Sequence, residues 1–338
     1  MKKITIAQIA AEVGLAKSTV SCVLNGKANA GVSAERAAQV LEVAKRLNYR
    51  PSAAARAMRT GRFNAMGMIL SDKVDKISPF IDMWRAILDQ LHGSGMSLTI
   101  GQLPDEDLTN EGFVPRLLGE WAVDGLLVDY IAEMPERMVQ LIREHHIPSV
   151  WTNNRLPADC VYPDDLDAFR RATRYLLDLG HRRIAYVTFH RAHHYSHADR
   201  YGGYEQEMRS AGLEPRSLRS DATIPREARL ERAIALLKGP DRPTAIITWE
   251  KDDVYPFMLA AAHLGLDVPR DISLMTAHAE PTNEMGLMVA HMRLPAIELG
   301  REAVRMLLAK IATPDTPLPP KAIPFTLEPG VTTAAPRA

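Results

Sequence analysis

The chain has 338 residues, 46% hydrophobic and 24% charged, the balance of a soluble globular protein long enough for two or three domains. No stretch approaches the roughly 18 apolar residues of a membrane span, and two unrelated cysteines, Cys22 and Cys160, exclude a disulfide scaffold and suit a reduced, cytoplasmic protein. Lys and Arg balance Asp and Glu at 41 each, yet residues 1–60 hold ten basic against three acidic residues, a net of +7, which leaves the remainder at −7. A basic head on an acidic body is the split expected when one end meets phosphates.

In chain order, Thr5 followed three residues later by Gln8 is a capping box that opens a helix. Ile6, Ile9, Ala10 and Val13 then form one buried stripe, and Gln8 and Glu12 interrupt the apolar run, which makes it amphipathic rather than a secretory signal. Gly14 stops this helix. After only Leu15 and Ala16 a second helix opens at Lys17, with Val20, Val23 and Leu24 inside and Asn25-Gly26 at its end. Two short helices across so tight a turn form a helix-turn-helix. A third helix over 34–47, capped by Ser33, buries Val40, Val43, Ala44 and Leu47. A plain three-helix bundle would show the same stripes, but Lys17, Ser18, Ser21 and Cys22 point outward and are small or basic, as a major-groove helix requires.

Residues 48–59, Asn-Tyr-Arg-Pro-Ser-Ala-Ala-Ala-Arg-Ala-Met-Arg, have high helix propensity after Pro51 but too few turns to hold a helix alone. The segments TIAQIAAEVGLAKSTVSCVLNG and NYRPSAAARAM resemble the lactose-repressor (LacI/GalR) family of bacterial transcriptional regulators. The resemblance implies that the second helix reads operator bases and that a hinge helix at about 52–59 folds on DNA, with Met58 as the apolar wedge in the minor groove. The DNA-facing set is then Thr5, Lys17, Ser18, Thr19, Ser21, Cys22, Asn25 and Tyr49, with Ser52, Ala55, Arg56, Met58 and Arg59 from the hinge, and Lys2 and Lys3 available to phosphates. Two departures from the family pattern stand out: Cys22 is a poor reader where relatives often carry Arg, and Ala16 lacks the hydroxyl of a Ser cap.

From residue 62 onward, apolar runs at 65–70, 96–100, 123–128, 147–151, 183–188, 245–249 and 272–276 alternate with helical patterns such as 80–91, 166–179, 256–264 and 296–308. Such alternation predicts an α/β body with parallel sheets covered on both faces. No Gly-rich phosphate loop, Gly-x-Ser-x-Gly, metal motif or nucleophile–base pair stands out, so neither catalysis nor a cofactor is expected. VDGLLV, LLDLGHRRIAYV, RYGGY and LGLDVPRDIS resemble segments of the same family's periplasmic-binding-protein-like body. The resemblance implies two lobes, one of residues 62–162 and 293–319, the other of 163–292 and 320–331. An effector is expected between them, at the carboxyl ends of the strands.

By the same resemblance Arg200 is the effector-binding arginine, and Ser71, Asp72, Phe80, Trp151, Asn153, His190, His193, Trp249, Glu250 and His278 complete the expected site. His278 and Glu250 stand where sugar-binding members carry Asp and Asn, so a standard hexose fit is in doubt. Arg200 with a chargeable His278 suits a sugar acid, while Glu250 would repel one. Trp151 and Trp249 either stack on a sugar ring or pack in the core. Residues 190–197 hold four histidines, but no carboxylate or cysteine lies among them and no metal is expected; contact of His190 or His193 with the effector competes with a plain solvated loop. The Pro-rich end reads as a frayed tail, with no apolar heptad for a C-terminal coiled coil. The chain therefore reads as a homodimeric, effector-modulated DNA-binding regulator. A ligand receptor without a DNA role, or an enzyme, are the rival readings.

Overall fold

The computed structural model describes residues 4–25, 31–49, 61–73, 80–131, 134–190, 194–220, 222–279, 283–284 and 286–337. The expectations placed on Lys2, Lys3, Ser52, Ala55, Arg56, Met58, Arg59 and His193 lie outside them, as does the hinge helix. The chain divides into two compact units, Met1–Phe63 and Asn64–Ala338.

The first unit contains α1 (Ile6–Val13), α2 (Lys17–Leu24) and α3 (Ala34–Arg46). Thr5 opens α1, its backbone N–H donating to Gln8 Oε1 at 2.9 Å, and Gly14 closes it in the left-handed region at φ 67°. No side chain caps α2, because Ala16 stands at its N-cap. Ser33 accepts the Arg36 amide at 3.3 Å and starts α3. Ile9, Ala10, Val13, Val20, Val23, Val40, Val43 and Ala44 form the core, and Leu47 packs against it only partly buried.

In the second unit, two six-stranded sheets take their strands alternately from distant parts of the chain. The first sheet holds β1 (Ala65–Ser71), β2 (Ser97–Leu103), β3 (Leu126–Asp129), β4 (Ser149–Thr152), β5 (Cys160–Pro163) and β13 (Lys321–Ile323), ordered β13-β5-β4-β3-β1-β2. The second holds β6 (Ile184–Val187), β7 (Arg216–Leu218), β8 (Ala245–Thr248), β9 (Ser273–His278), β12 (Ala290–Arg293) and β14 (Thr326–Glu328), ordered β14-β12-β9-β8-β6-β7. Pairing is parallel except where β14 meets β12 antiparallel; a separate two-stranded pair, β10 (Asn283–Glu284) with β11 (Leu287–Met288), is also antiparallel. The central strands are buried along their whole length, as sheets covered on both faces require.

The chain crosses between sheets three times, and the third crossing corrects the expected lobe boundary. Lys321–Ile323 pairs parallel with Val161–Pro163, so residues 320–323 belong to the first lobe and the return comes just before Thr326. The second lobe also continues past residue 331, and residues 332–337 pack against it rather than fraying. Thr332 is 2% exposed, its hydroxyl donates to Leu274 O at 2.7 Å, and Arg337 pairs with Asp271 at 2.6 Å. The ring of His181 explains the docking: its Nε2 lies 2.9 Å from Ala334 O and its Nδ1 2.9 Å from Thr244 Oγ1. Composition called this segment loose, but it supplies backbone partners to a strand end.

Helix packing in the second lobe rests on Gly203. In the helix Tyr195–Ser210 its absent Cβ would sit 2.3 Å from Leu166 O, so only glycine lets this helix meet the helix Asp165–Asp178. Glu207 reinforces the contact by pairing with Arg170 at 3.3 Å and Arg174 at 2.5 Å. Among the described residues, no helix is long and apolar enough to cross a membrane.

Candidate nucleic-acid interface and effector cavity

On the head, Lys17 and Ser18 are exposed at the start of α2, while Thr19, Ser21 and Cys22 are half-buried along it. Asn25 is exposed at the end of α2 and its amide donates to Ser21 O. Thr5 directs its hydroxyl to Gln8 Oε1 at 3.2 Å. Tyr49 is half-buried against the head core, its amide bonded to Ala44 O at 2.9 Å. The outward face of α2 thus carries short polar side chains and one lysine.

In the body, a cavity of about 140 Å³ opens between the lobes, at the carboxyl ends of strands in both sheets. Lobe one brings Phe80, Ile131 and Asn153; lobe two brings His194, Ser196, Arg200, Trp249, Glu250, Ala277 and His278; Leu294 sits in the connection between lobes. Of the expected set, Phe80, Asn153, Arg200, Trp249, Glu250 and His278 meet here. Ser71, Asp72, Trp151 and His190 do not line it. Ser71 is buried and accepts the Lys73 amide at 3.2 Å; Asp72 is exposed. Trp151 lies within β4 at 3% exposure, which makes it core. His190 borders a neighbouring polar hollow with Thr188, His197 and Arg219.

Ile131, His194, Ser196, Ala277 and Leu294 were missed. Of these, His194 carried a signal, as a member of the histidine-rich run. It caps the helix Tyr195–Ser210 through Ser196, and its Nε2 lies 2.9 Å from Asn153 O, linking the lobes at the cavity wall. Two further links run beside it: Arg155 pairs with Asp199 at 2.5 Å, and the Tyr195 hydroxyl donates to Pro163 O at 3.2 Å.

The electrostatics of the cavity differ from those expected. Arg200 is 7% exposed; its Nε donates to Asp165 Oδ1 at 2.6 Å and its Nη1 to Trp249 O. Its guanidinium also lies 5.2 Å from the Trp249 ring centroid and 5.3 Å from that of Phe169. A charge so paired is no free fork for an anion. Burial, helped by the positive charge of Lys251, pushes His278 down to about 4, so its imidazole is neutral at physiological pH. Burial works against the ionisation of Glu250, but the hydrogen bond and charge of His190, 2.7 Å away, hold its carboxyl below the usual range. The cavity thus offers a neutral imidazole, an ionised carboxylate, an amide and a hydroxyl against an aromatic and aliphatic wall. Among the described lining residues, Arg200 is held in its ion pair with Asp165 and His278 is neutral, so neither presents an unpaired positive charge.

Two family profiles match the chain. Residues 5–52 match bacterial regulatory proteins of the lacI family, and residues 173–333 match a periplasmic binding protein-like domain. The chain is 28% identical over 334 residues to the HTH-type transcriptional repressor PurR of Glaesserella parasuis, covering 95% of each. In fold it is similar to the lac repressor dimer bound to operator and the anti-inducer ONPF, with a TM-score of 0.81, 21% identity, and 99% of this chain and 100% of that one covered. It is also similar to the transcriptional regulator CelR in its cellobiose complex, with a TM-score of 0.65, 20% identity, and 98% and 100% covered. The relatives are transcriptional regulators, and head and body each match their expected kind. The chain belongs to the lacI family of bacterial regulatory proteins, DNA-binding transcriptional regulators with a ligand-binding body.

Proposed function

We propose that this regulator is a homodimeric repressor of a near-palindromic operator, and that a small neutral polyhydroxylated molecule, a sugar or sugar derivative, sets its operator affinity from the inter-lobe cavity. The observation that carries the ligand class is the pairing of Arg200 with Asp165, which leaves no unpaired cation among the described lining residues, beside Asn153, Ser196, Glu250 and His278 as hydroxyl partners. An apolar wall with a few convergent polar groups suits a sugar ring, whose faces stack and whose edge hydrogen-bonds. The CelR–cellobiose complex supports the same class by analogy of fold. Coupling follows because both lobes line the cavity: a ligand that favours one lobe arrangement shifts the dimer geometry presented to DNA.

On the DNA side, Lys17, Ser18, Thr19, Ser21, Cys22 and Asn25 are assigned to the groove. Thr5, Tyr49 and the hinge residues Ser52, Ala55, Arg56, Met58 and Arg59 are assigned to backbone and minor-groove contacts. Met58→Ala is expected to weaken operator binding while leaving thermal stability unchanged.

A thermal-shift screen of neutral sugars, polyols and sugar acids tests the ligand class. A neutral compound is expected to raise the melting temperature by mass action, and His278→Ala or Asn153→Ala to remove the rise. Response to acids alone would overturn the assignment. A gel shift on upstream genomic DNA tests the regulator itself: residues 64–338 without the head must lose operator binding.

A further inference from the structure

His190 follows β6, and Glu250 and Asp253 follow β8, the strand paired beside it. The ends of these neighbouring strands bring three ionisable groups together. His190 Nε2 lies 2.7 Å from Glu250 Oε1 and 3.5 Å from Asp253 Oδ1, and one donor atom from each residue falls within 4.8 Å of the others. Asp253 is fully buried, and neither of its oxygens accepts a well-formed hydrogen bond among the described residues. Arg229 comes within 3.8 Å of Asp253 Oδ1, outside hydrogen-bond range, while its Nε donates to Ile224 O at 3.0 Å. A buried carboxylate held only by the Phe189 amide and by the more distant charges of His190 and Arg229 is costly, and burial pushes it up to about 7, so a closer positive partner is favoured.

We infer that His190, Glu250 and Asp253 form a binding site for a divalent transition-metal ion. One imidazole nitrogen with two carboxylate oxygens suits Zn²⁺ or Mn²⁺, whereas Mg²⁺ and Ca²⁺ prefer all-oxygen shells and softer ions prefer thiolates. Bond lengths of about 2.0–2.2 Å place neighbouring ligands of a tetrahedral ion roughly 3.4 Å apart. The His190–Asp253 separation already meets this, and the Glu250 side chain, 32% exposed on a flexible stem, opens the remaining gap. Arg229 opposes a second positive charge and keeps the affinity below that of a structural zinc. Glu250 also lines the inter-lobe cavity, which puts the ion one side chain away from whatever the cavity holds. The site itself does not depend on the identity of that molecule.

The test uses the full-length, tag-free protein, stripped with a chelator and titrated calorimetrically with Zn²⁺, with Mg²⁺ as comparison. One equivalent of Zn²⁺ per chain is expected, with Mg²⁺ silent. His190→Ala and Glu250→Gln should each weaken binding at least tenfold, with affinities compared at a temperature where the metal-free variants are shown to be folded by their own melting transitions. Asp253 is left intact because its burial ties it to folding. Co²⁺ in place of Zn²⁺ should give weak visible bands without thiolate charge transfer, which separates this site from Cys22 and Cys160. No saturable Zn²⁺ binding, unchanged affinity in both variants, or thiolate bands would each overturn the inference.

Discussion

Helix α2 of the head and the inter-lobe cavity of the body put their polar residues under opposite constraints. On α2, Lys17 and Ser18 are exposed, and the head core beneath them is aliphatic. In the cavity, Arg200 is both a lining residue and half of a buried ion pair, and Glu250 is held by His190. Polar side chains are therefore separable from the core in the head and tied into buried pairs in the cavity. A buried arginine at the expected ligand position does not by itself reveal the charge of the ligand.

The sharpest test of that contrast is Arg200→Ala. Removing one partner of a buried pair strands Asp165, which is 1% exposed, at a cost of about 3–5 kcal/mol. Chemical denaturation of residues 64–338 measures this directly, and a loss under about 1 kcal/mol would mean that Arg200 is free for ligand after all. The next effect concerns packing behind the cavity. Gly203→Ala forces a methyl against Leu166 O and Arg170 N, an overpacking cost of roughly 1–3 kcal/mol, read as a lower denaturation midpoint. An unchanged midpoint would show that the two helices part easily.

A smaller, pH-dependent effect belongs to His181. Burial lowers its pKa, partly offset by the hydrogen bond to Ala334. The neutral ring, with its proton on Nε2, satisfies both Ala334 O and the Thr244 hydroxyl. An imidazole depressed in the folded state contributes stability above its unfolded pKa of about 6.5, and that contribution is lost as pH falls below it. Wild type should therefore lose more stability than His181→Gln between pH 7 and pH 5; parallel losses would remove His181 from the account. The smallest effect lies in the head. Lys17→Ala should flatten the log–log salt dependence of operator binding by about 0.9 if it contacts one phosphate, with folding changed by no more than about 0.5 kcal/mol. Lost stability there would erase the contrast between the two regions.

Much of the architecture was readable from local pattern. The runs at 65–70, 245–249 and 272–276 became β1, β8 and β9 within two residues at either end, because fully buried parallel strands must be continuously apolar. The short strands Cys160–Pro163 and Lys321–Ile323 left no such signature. Each is three or four residues long and is defined by its neighbour, not by its own composition. The last residues of the chain, read as loose from their prolines, are ordered by His181, some 150 positions earlier.

What the sequence alone determined, then, is whatever depends on short-range periodicity and on charge summed by segment. That covers the capped helices of the head, its net of +7 and the strand–helix alternation of the body. Tertiary structure decided which of those residues act alone. Arg200 meets Asp165, 35 positions away, and His190 meets Glu250 and Asp253, some 60 positions away. The charge state of a buried group is set by the dielectric and the partners around it, and both exist only once strands distant in sequence lie side by side.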